Sequence, residues 1–581
     1  MRLPEEQSFP TQDGTSLFYR HWPAAGGGSH EPRAMILLHR GHEHSGRMQH
    51  IVDELDLPRY AMFAWDARGH GKSPLSPGDQ PSLATFVKDL DVFARHVQYA
   101  YGIAIENIGV LAQSVGSVLA AAWVHDYAPP IRCMVLAAPA FRVRLYIPFA
   151  RTILGLAARV NPGLQVKSYV KPTALTHDRE RIESYRSDPL ITRPISVRVL
   201  LGLYSAAARV IEDAQAIQVP VQLLISGSDW VVHKRPQHEF FERLGSAVKE
   251  KHVFRGFYHD TLGERDRHLA IGKARSFVMK SFATPPVAGT CERDFTHDEH
   301  ATLSRPLSVL SPRRWIFALS RLSLRSGGQL SGGIRIGCRA GFDSGSSLDY
   351  VYRNRPSGVT LLGRLIDWFY LNSIGWKGIR VRKENLERAL LRTSRLQRDA
   401  GVPVRVVDIA AGHGRYVLNA FTADGVRADQ ILLRDYDARN VREGTALIQE
   451  TGMSTIARFE PGDAFSRESL AALDPRPTLG IVSGLYELFP DNTLVRRSLA
   501  GLADAIPPRG YLIYTGQPWH PQLEMIARVL PSHRGGKPWI MRRRTQRELD
   551  RLVAEAGFRK IDQQIDEWGI FTVSVAQRVG Q

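Results

Sequence analysis

The sequence has few of the residues that stabilise small secreted proteins or bind structural metals. Only three cysteines, Cys133, Cys291 and Cys338, occur in 581 residues. They form no CxxC pair and no Cys/His cluster with the spacing of a zinc site. An odd number of widely separated cysteines cannot build a disulfide framework. We therefore predict a reducing compartment and no structural metal.

Long apolar runs are also missing. The longest uncharged run, residues 108–124, contains Gln113 and two serines and is shorter than the roughly 18 apolar residues of a membrane-spanning helix. Residues 1–6 lack the basic segment and apolar core of a secretory signal peptide. The sequence thus predicts a cytoplasmic protein without a transmembrane segment.

Acidic residues are scarce relative to basic ones, and the formal net charge is +18. Residues 305–382 contain 13 Lys or Arg and three acids. Such a basic band favours peripheral association with an anionic membrane, on the inner face for a cytoplasmic protein. A solvated, arginine-rich connector explains the same residues. No zinc-finger or RNP-like motif is present, so a nucleic-acid partner is not expected.

The apolar pattern indicates two α/β domains. Between residues 33 and 280, apolar β-branched runs alternate with amphipathic segments, which is typical of a parallel sheet with crossover helices. A second alternation begins at residue 404. Between them, the chain becomes rich in Pro, Gly, Ser and Arg. We predict domains at 1–283 and 347–581, joined by a basic connector at 284–346.

Helical periodicity replaces the strands of the first domain over about residues 141–210, which predicts a helical lid inserted into the sheet. Segments rich in apolar residues occur within this lid. They suit contact with an acyl chain, although an ordinary core helix has the same composition.

A serine at a sharp strand-to-helix turn is the first candidate catalytic group. Ser114 follows an apolar strand and lies between Ala112 and Gly116, small residues that permit a nucleophile elbow. A serine nucleophile needs a histidine base and a carboxylate that orients it. Asp229 and His259 follow later strands in the order expected of hydrolases. We therefore predict the triad Ser114, Asp229 and His259, with the backbone N–H of Val115 as one oxyanion donor.

Four further motifs resemble those of the monoacylglycerol lipase and lysophospholipase group of α/β-hydrolases, the serine aminopeptidase-like family. They are HRGHEHSGR at 39–47, DARGHGKS at 66–73, YRSDPL at 185–190 and HDTLGE at 259–264. The resemblance covers about residues 8–282.

This resemblance implies that Gly41 is the second oxyanion donor. It also implies hydrolysis of acyl esters such as monoacylglycerols or lysophospholipids. Arg40 and His42 stand where the family has glycines. A catalytically weakened lipid-binding or scaffolding protein is therefore the alternative.

A glycine-rich turn marks the second domain. Asp408 ends an apolar strand, and Gly412 and Gly414 precede a helix, so that the backbone can approach a nucleotide-like ligand. Asp435, after the next strand, is placed to bind ribose hydroxyls. The same pattern suits a dinucleotide such as NAD, but Val417 occupies the place of the third glycine.

With Asp463 on a third acidic loop, the pattern resembles class I S-adenosylmethionine-dependent methyltransferases over about residues 345–577. The resemblance implies S-adenosyl-L-methionine as cofactor, bound by Asp408, Gly412, Gly414, Asp435 and Asp463. Candidate groups near the methyl acceptor are Tyr486, Glu487 and His520.

The combination predicts an α/β protein with an N-terminal α/β-hydrolase domain and a C-terminal Rossmann-like methyltransferase domain. It resembles bacterial fusions of these two enzyme types. Its expected partners are a small acyl ester or lipid and S-adenosylmethionine. The sequence does not identify the methyl acceptor.

Overall fold

The computed structural model describes residues 1–25, 31–75, 82–284, 294–423 and 426–580. The chain divides into two compact units, Met1–Thr290 and Cys291–Gln581. Each unit has a large β-sheet of its own. Residues 284–293 contain the predicted start of the connector, and all but the first lie outside the described residues.

The described residues of the first unit form ten strands. They are β1 (Glu5–Pro10), β2 (Ser16–Trp22), β3 (Arg33–Leu38), β4 (Tyr60–Trp65), β5 (Ile108–Gln113), β6 (Cys133–Ala137), β7 (Gln165–Lys167), β8 (Pro194–Ser196), β9 (Val221–Ser226) and β10 (Lys249–Phe254). Its α-helices are α1 (Gln49–Leu55), α2 (Leu83–Tyr101), α3 (Val115–Tyr127), α4 (Ala150–Val160), α5 (Arg179–Ser187), α6 (Val197–Glu212), α7 (Arg235–Arg243) and α8 (His268–Ala283).

Eight of these strands form one sheet in the order β1-β2-β4-β3-β5-β6-β9-β10. In this order the strands β4-β3-β5-β6-β9-β10 are parallel. At the edge, β2 pairs antiparallel with β4, and β1 pairs antiparallel with β2. Every residue of β4, β5 and β6 is buried, because helices cover both faces of a central parallel sheet. The α/β prediction is confirmed, although the antiparallel edge was not anticipated.

The segment between β6 and β9 contains α4, α5, α6 and the two-stranded sheet of β7 and β8. Helix α6 contacts α3 and buries one apolar face. Helix α4, in contrast, has no buried residue, and Ile153 and Leu156 are exposed. This arrangement corresponds to the helical insertion expected over about residues 141–210.

Seven strands occur in the part of the second unit that the structure describes. They are β11 (Arg405–Asp408), β12 (Gln430–Asp435), β13 (Ala457–Pro461), β14 (Leu479–Val482), β15 (Tyr511–Gly516), β16 (Phe558–Ile565) and β17 (Thr572–Arg578). Its α-helices are α9 (Phe295–Ser304), α10 (Pro312–Arg325), α11 (Gly332–Ala340), α12 (Gly345–Arg353), α13 (Leu361–Leu371), α14 (Ile374–Asp399), α15 (Arg415–Ala423), α16 (Ala438–Glu450), α17 (Arg467–Ala471), α18 (Asn492–Ala505), α19 (Leu523–Val529) and α20 (Gln546–Glu555).

The second sheet has the order β13-β12-β11-β14-β15-β17-β16. The first five strands in this order are parallel, and β17 pairs antiparallel with both β15 and β16. Two separate groups of buried apolar side chains pack on the sheet and its helices. The carboxyl ends of β11 and β12 lie side by side, where a parallel sheet commonly binds ligands.

The structure differs from the predicted connector over residues 294–346, which are largely helical and belong to the second unit. The glycines of α11 serve close packing. A Cβ on Gly333 would lie 2.4 Å from the Tyr370 ring, and one on Gly337 would lie 2.5 Å from the Phe342 ring. The glycines of α11 are therefore explained by the close approach of its backbone to aromatic side chains. Flexible linkers are also rich in glycine, so the composition alone predicted a connector.

Within the described residues, no helix combines the length and the hydrophobicity needed to cross a bilayer. Cys133 and Cys338 are free thiols. Cys291 lies outside the described residues.

Candidate active sites

Ser114 lies at the turn between β5 and α3, with a backbone φ of 56° and ψ of −114°. This conformation is strained for a residue with a side chain, and such strain is typical of nucleophile elbows. Gly116 is required sterically, because an added Cβ would lie 2.7 Å from the carbonyl oxygen of His39. The turn thus places the Ser114 hydroxyl at the carboxyl edge of the sheet.

The three predicted triad residues come together in one hydrogen-bonded chain. The distance between Ser114 Oγ and His259 Nε2 is 2.7 Å, and His259 Nδ1 lies 2.8 Å from Asp229 Oδ2. Backbone N–H groups of Val231 and Val232 donate to Asp229 Oδ1 at 2.7 and 2.9 Å. Burial by itself raises the pKa of Asp229, but His259 and these donors outweigh it and lower the pKa below its ordinary value. Asp229 is therefore held as an oriented carboxylate.

The two predicted oxyanion donors belong to adjacent backbone segments. Val115 begins α3, and a Cβ on Gly41 would lie 3.4 Å from Val115 Cγ2. The backbone of His42 has a φ of 70°. Arg40 is buried, and its Nη2 lies 2.8 Å from Glu43 Oε1. The charge that replaces a family glycine is therefore compensated by an acid within the same loop.

A buried ionic cluster contacts this loop, and the sequence did not predict it. Asp260 accepts a hydrogen bond from Gln113 Nε2 at 2.8 Å and one from Arg181 Nε at 3.2 Å. It also lies 3.7 Å from Arg40 Nη2. The pKa of Asp260 is held well below its ordinary value because these cations outweigh its burial. The cluster links the loop after β3, the elbow and α5 of the lid.

Ser114 and His259 line a cavity of about 530 Å³. Most other lining side chains are apolar and come from the lid, α2 and α3. They include Leu83, Phe86, Leu119, Leu145, Ile147, Ile153, Leu154, Val199, Leu200 and Leu203. The cavity can hold an apolar chain with its polar end at the serine hydroxyl.

In the second unit, Gly412 and Gly414 lie in the turn between β11 and α15. Their φ values are 59° and 72°, which favour glycine. A Cβ on Gly414 would lie 2.3 Å from Leu433 Cδ1, whereas one on Gly412 would have only Gly345 Cα near it, at 3.6 Å. Gly414 therefore serves packing, and Gly412 leaves open space beside the backbone.

Asp435 and Asp463 line a cavity of about 860 Å³ together with this glycine turn. The N–H of Gly412 donates to Asp435 Oδ2 at 2.9 Å, and Asn440 Nδ2 lies 3.1 Å from Asp435 Oδ1. Asp463 Oδ1 accepts from the N–H of Phe465 at 2.9 Å. Both carboxylates retain lone pairs for the hydroxyl or amino groups of a nucleoside. These acceptor oxygens and the space beside Gly412 fit the nucleoside part of a cofactor such as S-adenosylmethionine.

Asp408 is placed differently from the other predicted cofactor residues. It is completely buried beneath the glycine turn, where Tyr416 Oη and the N–H of Ala410 donate to its carboxylate. Burial raises its pKa to about 7. Asp408 thus supports the turn from inside and lies outside the described lining of the 860 Å³ cavity.

The three candidates near the methyl acceptor separate into two groups. Tyr486 is buried in the core, and its hydroxyl donates to Ser498 Oγ at 3.0 Å. Glu487 and His520 instead line a neighbouring cavity. Gly345, Asp349 and other groups before α14 also line the 860 Å³ cavity. The candidate cofactor residues were sought at the ends of strands, whereas Gly345 and Asp349 lie in α12, before the first strand of this unit.

Comparison with known proteins gives matches to two family models. A family model described as "Putative methyltransferase" matches residues 274–578, more than half of the chain. The chain belongs to this methyltransferase family. A second model, "Serine aminopeptidase, S33", matches residues 30–266. The predicted hydrolase and methyltransferase resemblances are thereby confirmed.

Two relatives show how the similarity is distributed. An Escherichia coli K12 protein described as "Uncharacterized protein YnbC" is 54% identical over 585 residues, and the match covers 99% of each chain. The monoacylglycerol lipase of Mycolicibacterium smegmatis is 24% identical, over 47% of this chain and 96% of its own length. The monoacylglycerol lipase structure from Paleococcus ferrophilus is 21% identical, with a TM-score of 0.40, covering 48% of this chain and 99% of that one.

Proposed function

We propose that the first unit hydrolyses acyl esters, such as those of monoacylglycerols or lysophospholipids. The observation that carries this proposal is the continuous Ser114–His259–Asp229 hydrogen-bond chain at an apolar cavity. His259 Nε2 takes the serine proton as Oγ attacks the ester carbonyl, and it later protonates the leaving alcohol. The backbone N–H groups of Val115 and Gly41 stabilise the oxyanion. Water then releases the fatty acid from the acyl-enzyme.

A fluorophosphonate probe followed by peptide mass spectrometry tests this proposal. We expect labelling at Ser114 and turnover of a medium-chain monoacylglycerol or lysophospholipid. A probe that leaves Ser114 unlabelled while lipid still binds would instead support the weakened lipid-binding alternative.

We propose that the second unit binds S-adenosyl-L-methionine in the 860 Å³ cavity and transfers its methyl group. The glycine turn, Asp435 and Asp463 would hold the cofactor, which supplies an electrophilic methyl group when bound. The hydrogen bond from the Gly412 N–H to Asp435 supports a role of this carboxylate in recognising a ligand hydroxyl. Calorimetric titration of the full chain tests this proposal. We expect S-adenosylmethionine to bind, and preferential binding of NADH would contradict it.

We further propose that the chain works in the cytoplasm at the surface of an anionic membrane. Trp315, Ile316 and Leu322 of α10 are each more than 60% exposed. Arg314 and Arg325 of the same helix are exposed, whereas Arg321 donates to the Arg528 carbonyl. Exposed apolar and basic side chains on the same helix are typical of an interfacial helix. Vesicle flotation should show binding to phosphatidylglycerol and none to phosphatidylcholine. Equal binding to both would contradict the proposal.

A further inference from the structure

The second unit contains another cavity, of about 560 Å³, beside the proposed cofactor cavity. The two cavities share five lining residues: Asp343, Leu348, Arg382, Gly484 and Leu488. A molecule in this second cavity would therefore lie next to one in the first. We call it the acceptor cavity.

The walls of the acceptor cavity are rich in aromatic side chains. Trp376 and Trp539 are stacked, with ring centroids 6.3 Å apart and an interplanar angle of 23°. Tyr370 and Phe571 also line the cavity. Leu319 of α10 is another lining residue and is 67% exposed, so the cavity reaches the surface there. Such walls favour a flat, lipophilic ligand.

Several hydrogen-bond donors in these walls lack a protein partner. Gln517 Nε2, Trp539 Nε1 and Arg382 Nε are buried and have no acceptor among the described residues. Gln517 is only 3% exposed. Buried donors are normally paired, so three unpaired donors around one cavity indicate a missing acceptor atom. An oxygen on the ligand would supply it.

His520 contributes a fourth donor. Its Nδ1 accepts the backbone N–H of Gln522 at 3.0 Å, and burial lowers its pKa to about 4. The ring is therefore neutral at pH 7, with its proton on Nε2. His520 can donate a hydrogen bond but is a poor proton acceptor.

Glu487 is the group that can accept a proton in this cavity. It is buried on the wall, and its Oε1 lies 3.7 Å from Arg382 Nη1. The other acid, Asp343, is occupied by the hydroxyl of Ser532 and the backbone N–H of His533. A ligand hydroxyl that accepts from the unpaired donors could also donate to Glu487.

We propose that the acceptor cavity binds a neutral aromatic hydroxyl compound as the methyl acceptor, its ring among the aromatic walls and its oxygen at the donors and Glu487. This inference rests on the proposed methyltransferase function. It specifies the substrate class, which neither the family model nor the relatives define. An aromatic cage for an organic cation is the competing interpretation of the same rings.

Calorimetry on the full chain separates these interpretations with 1-naphthol as probe. One comparison compound, 1-methylnaphthalene, has similar rings but no oxygen, and another, benzyltrimethylammonium, is a cation. We expect 1-naphthol to bind at least about tenfold more tightly than either, because only its oxygen can accept hydrogen bonds from the unpaired donors. Equal binding of 1-methylnaphthalene, or tighter binding of the cation, would overturn the proposal.

Two variants localise the probe. Gln517→Leu removes one donor while largely keeping the side-chain shape, and Trp539→Phe removes another while keeping an aromatic ring in the wall; each should weaken 1-naphthol binding about three- to tenfold. Trp368→Phe, in α13 and outside the lining of both cavities, is the matched control and should not change it. Unchanged affinity in both donor variants would overturn the assignment.

S-adenosylmethionine is titrated into the same preparations. An unchanged affinity shows that the variants are folded. Failure of S-adenosylmethionine to bind the unaltered chain would count against the proposed methyltransferase function. If S-adenosylmethionine binds but 1-naphthol does not, the result would count against the acceptor cavity alone.

Discussion

The candidate sites of the two units are built from different kinds of groups: side chains in the first and mainly backbone in the second. In the first, three side chains from separate loops already form a hydrogen-bonded triad. In the second, the site is a backbone turn with open space beside Gly412, bordered by carboxylates. A nucleophile must be activated by its neighbours before the substrate arrives, whereas a nucleotide-like cofactor needs room for close approach. Substitutions in the first site should therefore lower the rate of turnover strongly, and substitutions in the second should lower ligand affinity moderately.

The largest expected effect is on ester hydrolysis. Ser114→Ala should lower kcat for p-nitrophenyl butyrate by about 10⁴-fold or more, because it removes the nucleophile and leaves only the oxyanion donors and substrate binding. Ser117→Ala is the matched control, since Ser117 Oγ donates from α3 to the Ala112 carbonyl of β5, and Ser117 is not among the described residues that line the cavity. We expect it to retain turnover within about tenfold. Undiminished turnover in Ser114→Ala would disprove the triad.

The next largest effect is on the free energy of unfolding and on its dependence on pH. His125 is buried between Asp126 and Asp213, with its ring nitrogens 2.7 and 2.8 Å from their carboxylates. Burial by itself lowers the pKa of His125, but the two acids outweigh it and raise the pKa above its ordinary value. The folded state therefore binds the proton more tightly. This stabilisation is complete below the unfolded pKa of about 6.5 and is lost as pH rises through the folded pKa.

His125→Leu should lower the free energy of unfolding by about 1.5 to 3 kcal/mol at pH 6, because it removes the cation that both acids share, although Arg209 still pairs with Asp126. The loss should shrink as pH rises through the folded pKa. Calorimetric unfolding of the full chain measures it, and the partly buried His233→Leu serves as control. A loss that does not depend on pH would show that His125 is neutral when folded.

A smaller effect is expected at the cofactor cavity. Asp435→Ala should weaken S-adenosylmethionine binding at least about tenfold, because a charged hydrogen bond contributes about 1.5 to 3 kcal/mol. Asp504→Ala, which breaks only a surface ion pair with Arg467, is the control and should leave the affinity unchanged. Calorimetry measures both. Equal affinity in the two variants would remove Asp435 from the proposed site.

The smallest effect concerns the membrane surface. Replacing both Trp315 and Leu322 with Ser should reduce flotation with phosphatidylglycerol vesicles several-fold, and added salt should reduce it further, because the apolar and basic groups act together. Ser substitutions are preferable to deletion because α10 packs on α19. Substituting the exposed Tyr99 of α2 is the control. Unchanged flotation of the double variant would assign membrane binding to another surface.

Local sequence patterns predicted the site residues that lie within short motifs at the ends of strands. The order of Ser114, Asp229 and His259 was visible because each follows an apolar strand, and parallel strands bring such residues to one sheet edge. The same reasoning found Asp435 and the glycine turn. The segment before residue 347 was misread as a connector because close helix packing and a flexible linker both use glycine.

The sequence by itself determined that there are two α/β domains and which residues lie at the ends of their strands, because periodicity and turn residues act over a few positions. Tertiary structure alone decided which of these residues meet. It buried Asp408 under the turn instead of in the cavity, and it placed Asp260 where it compensates Arg40. It also assembled the acceptor cavity from residues 319 to 571, a span no local pattern covers. Cavities and charge compensation depend on distances between remote segments, which the order of residues along the chain does not contain.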